Sequence, residues 1–208
     1  MEQIALQIYS LRDKCSENFE GVLKTLSEMG FDGVEPYSYF NYTKEEMKTL
    51  LGKYNLTVKS SHVEYALIKD NLELVIEYNK YLGNGYIIIP WCNFDTAQEW
   101  IDFAIEINEK GRILSENGLS LLYHHHNQEF CKKENGQTPL EILFEYTSEK
   151  YVGLQVDCYW VQYSDLDPIQ FLNENKNRVK LLHIKDMKAD KEMTELGAGI
   201  IDYVPIID

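Results

Sequence analysis

Asp157 closes the apolar run in LQVDCYW, and His183 closes the one in LLHIKD. Each is an ionisable side chain ending a hydrophobic stretch, where burial is costly without a metal or a hydrogen-bonded counter-group. The segment LLYHHHNQEF, residues 121–130, places His124, His125 and His126 after a third such stretch, with Glu129 just beyond. Taken singly, Asp157 reads as a cap for the next loop, His183 as a satisfied core histidine and the triple histidine as a solvated loop. Together they bring carboxylate and imidazole donors to several strand ends, which suits a divalent ion such as Mn²⁺, Co²⁺, Mg²⁺ or Zn²⁺. Side chains alternate along a strand, so His124 and His126 share one face while His125 points the other way. Glu129 is close enough in sequence to add a carboxylate at the same end.

A second set of residues could contact a substrate. Glu35 in GVEPY and His62 in SSHVEY either bind substrate hydroxyls or pair with each other or with loop amides. Trp91 and Trp160 offer flat apolar faces of the kind that pack on a sugar ring, or they are ordinary rim packing. Lys185 either holds a substrate oxygen or phosphate or pairs with Asp186 or Glu195. Cys15, Cys92, Cys131 and Cys158 show no CxxC spacing, which points to free thiols in a reducing compartment. Cys158 is a poor nucleophile, because the neighbouring Asp157 carboxylate raises its pKa.

The elements that must position these groups follow from hydrophobic period. Apolar runs rich in β-branched and aromatic residues begin at Ile4, Phe31, Leu56, Tyr86, Leu119, Tyr151 and Val179. Between them, helical periodicity covers 17–29, 44–53, 68–82, 96–117, 138–148 and 167–176. Thr43, Asp95 and Thr138 are suited to N-caps, and Gly30, Gly83 and Gly118 to left-handed helix ends. Alternating strands and helices, with strands apolar almost throughout, predict an α/β fold of parallel strands covered by helices. The unit recurs about every 25–33 residues, as in a doubly wound sheet or a (β/α)₈ barrel. No GxGxxG follows the first strand, which weakens the doubly wound dinucleotide-binding version. All five histidines, with Glu35, Trp91, Asp157, Trp160 and Lys185, fall at the C-terminal ends of predicted strands, the pattern of a barrel mouth. A TIM-type barrel in a single domain over 1–208 is therefore expected.

Composition narrows the partners. A formal net charge of −14 disfavours nucleic acid and anionic membranes, because an acidic surface repels polyanions. No apolar stretch is long enough to span a bilayer, and the opening MEQIALQIYSLRDK lacks the basic and apolar regions of a signal peptide. The expected compartment is the cytoplasm.

The segments LQIYSLRD, GFDGVEPYSY, SSHV, YHHHNQEF, LQVDCYW, LLHIKDMK and ELGAGIIDY, spread over essentially the whole chain, resemble the xylose isomerase-like TIM barrels. This is the sugar phosphate isomerase/epimerase group, which also includes inosose dehydratases and ketose 3-epimerases. The resemblance implies a divalent metal held by Glu, Asp, His and Glu from four strand ends. Asp157 matches the aspartate and His183 the histidine. The strand that carries the first glutamate in the family has His124 at the matching place, with Glu129 the nearest acid, so either is the third ligand. The fourth ligand would end an eighth strand beyond a GxG turn. Here ELGAGIIDYVPIID reaches that turn and stops at Asp208, so the C-terminal βα unit is expected to be missing. Such a barrel would have unpaired edge strands, weaker metal binding and impaired catalysis, and a homo-oligomer would be one way to close it.

The implied activity is a metal-dependent isomerase or epimerase acting on a sugar or sugar-like ketone through an enediolate. Its ligands would be His124, Glu129, Asp157 and His183, with Glu129 and His183 also catalytic. Substrate contacts would be Glu35, His62, Trp91, His126, Trp160 and Lys185. A lyase of inosose dehydratase type, or cleavage of a 3-keto-glycoside, is the alternative chemistry. A truncated, inactive metal- or carbohydrate-binding barrel is the alternative of another class. Metal-dependent AP endonucleases share the fold, but the acidic charge and the small number of histidines speak against a three-metal nuclease site.

Overall fold

Short parallel strands followed by helices make up most of residues 4–207, the part of the chain described by the computed structural model. The described residues fall into two units, one formed by those up to 89 with 114–120, the other by 90–113 with 121 onward.

The first unit contains β1 (Ala5–Gln7), α1 (Arg12–Glu28), β2 (Gly33–Glu35), α2 (Lys44–Lys53), β3 (Thr57–Val58), β4 (Ser61–His62), α3 (Tyr65–Asp70), α4 (Leu72–Leu82) and β5 (Tyr86–Ile89). β1, β2 and β3 pair in parallel, with Leu6 opposite Val34 and Val34 opposite Val58. β4 pairs in parallel with β5, placing His62 opposite Ile88. The stretch LTVKSSHV, expected as one strand, is therefore two. The Lys59 N–H still donates to Val34 O at 3.1 Å, after which the chain changes partner and the His62 N–H donates to Pro36 O at 2.8 Å. Ile8, Phe19, Leu23, Leu26, Val34, Met47, Leu51 and Val58 form the buried core. Gly33 is required by close approach, since a Cβ there would meet Thr57 O at 2.3 Å.

The helices of this unit begin and end for local reasons. Thr43 makes a full capping box with Glu46 at the start of α2. α1 starts earlier than the predicted 17–29 and is interrupted at Asn18 (φ −158°, ψ 82°). The Asn18 side chain accepts the Gly21 N–H at 2.9 Å, so the second half of α1 has its own cap near the predicted start. The predicted helix 68–82 is broken at Asn71 (φ −139°, ψ 45°) and ends, as expected, with Gly83 in the left-handed region at φ 77°.

The second unit contains most of α5 (Ala97–Glu116) and β6 (Ser120–His124), followed by α6 (Pro139–Tyr146), β7 (Val152–Asp157), α7 (Cys158–Tyr163), α8 (Pro168–Glu174), β8 (Val179–His183), β9 (Asp186–Met187), β10 (Met193–Thr194) and α9 (Val204–Ile207). β6, β7 and β8 run in parallel, with His124 opposite Gln155 and Asp157 opposite His183. Every residue of β7 is buried, as a central parallel strand requires. The cap of α5 is Thr96, not Asp95: its N–H donates to the Glu99 carboxylate at 2.9 Å and its Oγ1 accepts the Glu99 N–H at 3.3 Å. Thr138 forms the expected capping box with Glu141. Two features depart from strict alternation. α7 follows β7 without a loop, and β9 and β10 form an antiparallel pair. Among the described residues no helix is long and apolar enough to cross a membrane.

Candidate metal centre

His124, Asp157 and His183 are the last residues of β6, β7 and β8, so three neighbouring parallel strands deliver them to one end of the second unit. Asp157 is completely buried. Its Oδ1 accepts the N–H groups of Tyr159 (3.0 Å) and Trp160 (3.4 Å), capping α7, and its Oδ2 accepts from Lys185 Nζ at 3.1 Å. His124 Nε2 and His183 Nδ1 each stand 3.9 Å from that same Oδ2, and the two rings are 4.6 Å apart between centroids. A separation of 3.9 Å is too long for a hydrogen bond. It is shorter than the roughly 4.2 Å spanned by two ligand bonds of about 2.1 Å. One carboxylate oxygen facing two imidazole nitrogens is an O/N donor set of the right chemical type for a divalent ion.

The three adjacent histidines have three different environments. His124 belongs to the donor group. His125, on the opposite face, packs against Phe130 and Phe171, with centroids at 5.2 and 5.8 Å, and its Nε2 accepts the backbone N–H of Asp157 at 3.4 Å. The proton of the neutral ring is thus on Nδ1, which has no hydrogen-bond partner among the described residues. His126 lies 4.9 Å from the His124 ring and 5.3 Å from that of Trp160, while its backbone N–H donates to Glu129.

Burial holds the His125 pKa down to about 3. A group whose folded pKa lies below its unfolded value contributes stability that is complete above the unfolded value and is lost as pH falls. Between pH 6.5 and 3 the protein is therefore expected to lose up to roughly 4 kcal/mol on account of this ring. Urea unfolding across that range checks this, and His125→Phe should flatten the slope. An unchanged slope in the variant would assign the acid sensitivity to other groups.

Glu129 does not join the donor group expected of it. It is completely buried, with Oε1 accepting from Tyr123 OH at 2.7 Å and Oε2 from the His126 N–H at 2.8 Å. Tyr123 packs on Trp100 and Phe103 of α5, so Glu129 lies on the helix-facing side of β6 and not on the face of His124. Burial raises its pKa, and both oxygens are already used to fix the turn after β6. Of the two residues expected as the third ligand, His124 is the one that faces Asp157 Oδ2.

The other expected contacts divide similarly. In the first unit, Glu35 Oε1 and His62 Nε2 are 3.0 Å apart, both residues buried, with Ser60 Oγ donating to Glu35 Oε2 and Gln7 Nε2 at 3.3 Å from His62 Nδ1. This is the mutual pair that was one of the two sequence readings. Trp91 is 56% exposed. Lys185 pairs with Asp157 and not with Asp186 or Glu195, and its ammonium sits 5.2 and 5.4 Å from the Tyr159 and Trp160 ring centroids. Cys158 is pushed up to about 12, chiefly by burial and secondarily by Asp157, so the inert thiol was expected correctly but for the lesser cause.

Two residues whose roles sequence reasoning missed organise the end of β8. Tyr203 clamps the Lys185 backbone, its hydroxyl accepting the N–H at 3.0 Å and donating to the carbonyl at 2.5 Å. Asp186 accepts four backbone N–H groups, from Met187, Gly197, Gly199 and Ile201. Fifteen tyrosines hid the first. The second was signalled only by an aspartate followed at 197–199 by the glycine pair of GAG.

The profile of the family described as Xylose isomerase-like TIM barrel matches residues 23–208, and the chain belongs to that family. Among curated relatives, the inosose dehydratase of Clostridium beijerinckii is 27% identical, over 90% of this chain and 76% of its own length. That of Clostridium perfringens is 35% identical over 52% of this chain, and the match spans only 42% of that relative. Among solved structures, a sugar phosphate isomerase/epimerase from Parabacteroides distasonis superposes with a TM-score of 0.84 at 20% identity, covering 99% of this chain and 85% of its own. The fold is thus α/β with parallel strands of TIM-barrel type, and the named curated relatives are enzymes.

Proposed function

We propose that the chain is a divalent-metal-dependent enzyme that removes a proton α to the carbonyl of a sugar-like polyol ketone, and that its reaction is completed by loss of water, as in the inosose dehydratases it resembles. The observation that carries this reading is the grouping of His124, Asp157 and His183 at adjoining strand ends around one carboxylate oxygen. A metal there supplies Lewis acidity toward the ketone oxygen. Asp157, anchored by two backbone N–H groups, sets the position of the donor group. His126 is the nearby imidazole outside that group and takes the α-proton, an imidazole being suited to proton transfer near neutral pH. Lys185, with its side chain 35% exposed, presents an ammonium that can protonate a leaving hydroxyl. Trp91 and Trp160 are proposed as contacts for the remaining hydroxyls and ring faces. Glu129 is assigned no chemical step.

Isomerisation or epimerisation is the second reading, supported by the fold shared with the Parabacteroides distasonis protein. Both readings begin with loss of the α-proton, so the test is exchange with D₂O. The Mn²⁺-loaded protein is incubated with an inosose and a panel of ketoses, and the products are weighed by mass spectrometry. Loss of 18 mass units, offset by one for a deuterium taken up at the former β-carbon as the product enol ketonises, supports dehydration. Deuterium without a further change of mass supports epimerisation. No exchange with any compound would overturn the enolising chemistry altogether.

A further inference from the structure

Lys185 is placed to do more than contact a substrate. Its ammonium is 3.1 Å from Asp157 Oδ2, the same oxygen that faces His124 Nε2 and His183 Nδ1 at 3.9 Å. The other oxygen of Asp157 is committed to capping α7. A buried carboxylate needs a compensating charge, and here Lys185 supplies it. The lysine is seated by its surroundings. Tyr159 and Trp160 offer aromatic faces within cation–π range, and Tyr203 fixes its backbone through both N–H and carbonyl.

We propose that Lys185 is a built-in competitor of the metal: it neutralises Asp157 while the centre is empty of metal and is displaced from Oδ2 when a divalent cation binds. An ammonium and a divalent cation repel at such short range, so both cannot share one carboxylate oxygen without cost. The lysine therefore stabilises the metal-free protein and weakens metal affinity at once. The inference rests on the metal reading above but makes a separate claim about one side chain.

The test uses the full chain, stripped with EDTA and titrated with Mn²⁺ by calorimetry. Lys185→Met keeps the apolar stem and removes the charge. It is expected to bind Mn²⁺ about tenfold more tightly than the parent, while its metal-free Tm falls by about 4 °C. Lys185→Arg, which keeps the charge, should remain within a factor of about three of the parent in affinity. Circular dichroism confirms that each variant is folded, and Lys185→Gln serves if Lys185→Met is not. Affinity that depends on Asp157 but is unchanged or weakened in Lys185→Met overturns the role given to Lys185 and leaves the metal reading intact. Mn²⁺ binding that is absent, or indifferent to Asp157→Asn, removes the metal reading and this inference with it.

Discussion

Asp157→Asn is expected to leave a folded protein whose affinity for a divalent metal is down on the order of 10²–10³-fold, with turnover reduced with it. The substitution separates the two roles of the side chain. An amide oxygen can still accept the N–H groups of Tyr159 and Trp160, so the cap of α7 survives. The atom that faces His124, His183 and Lys185 becomes an NH₂ group, which can neither bind a cation nor accept from the lysine. Asp157→Ala should lose the metal as well and add about 1 kcal/mol of destabilisation from the missing cap. Elemental analysis alongside urea unfolding of the two variants checks both parts. Metal retained in Asp157→Asn would remove this carboxylate from the ligand set.

Asp186→Ala is expected to produce the largest loss of stability, on the order of 3 kcal/mol or more, by a wholly different route. The carboxylate is buried and accepts N–H groups of Met187 and Gly197 at 2.8 and 2.9 Å and of Gly199 and Ile201 at 2.9 and 3.2 Å. Without it, four donors lose their acceptor in the segment that follows β8. Burial pushes the Asp186 pKa up, but the four N–H groups together outweigh it and hold the pKa below the ordinary aspartate value. The stability gained in this way is present above the unfolded pKa and is lost as pH falls through the lower folded value. Hydrogen exchange should show residues 187–201 opening in the variant even where the rest of the unit stays protected. Normal protection there would contradict the anchoring role. Gly199 belongs to the same device, since a Cβ would come within 2.1 Å of Asp186 Oδ1.

The strands and helices were legible because parallel strands buried on both sides leave unbroken apolar runs, and because capping residues such as Thr43 and Thr138 mark helix starts. The split of LTVKSSHV into β3 and β4 was hidden, since a change of hydrogen-bonding partner at Lys59 and Ser60 leaves the hydrophobic pattern intact. α7 was hidden for a related reason: Asp157 ends a strand and caps a helix at once, so no loop residues mark the boundary.

At the site, the alternation of side chains correctly separated His125 from His124. It said nothing about where a loop residue turns, and Glu129, five residues after His124, folds back onto Tyr123. Sequence distance also misled for Lys185. Its neighbours Asp186 and Glu195 were the obvious partners, but Asp186 is occupied by backbone N–H groups, and the parallel pairing of β7 with β8 brings Asp157 within reach.

The most direct test of the account is an anomalous difference map from crystals of the protein grown with Mn²⁺, compared with the same map for Asp157→Asn. A single strong peak beside Asp157 Oδ2, His124 Nε2 and His183 Nδ1 is expected, absent from the variant. A peak centred on Glu129, or one that persists undiminished in the variant, would contradict it.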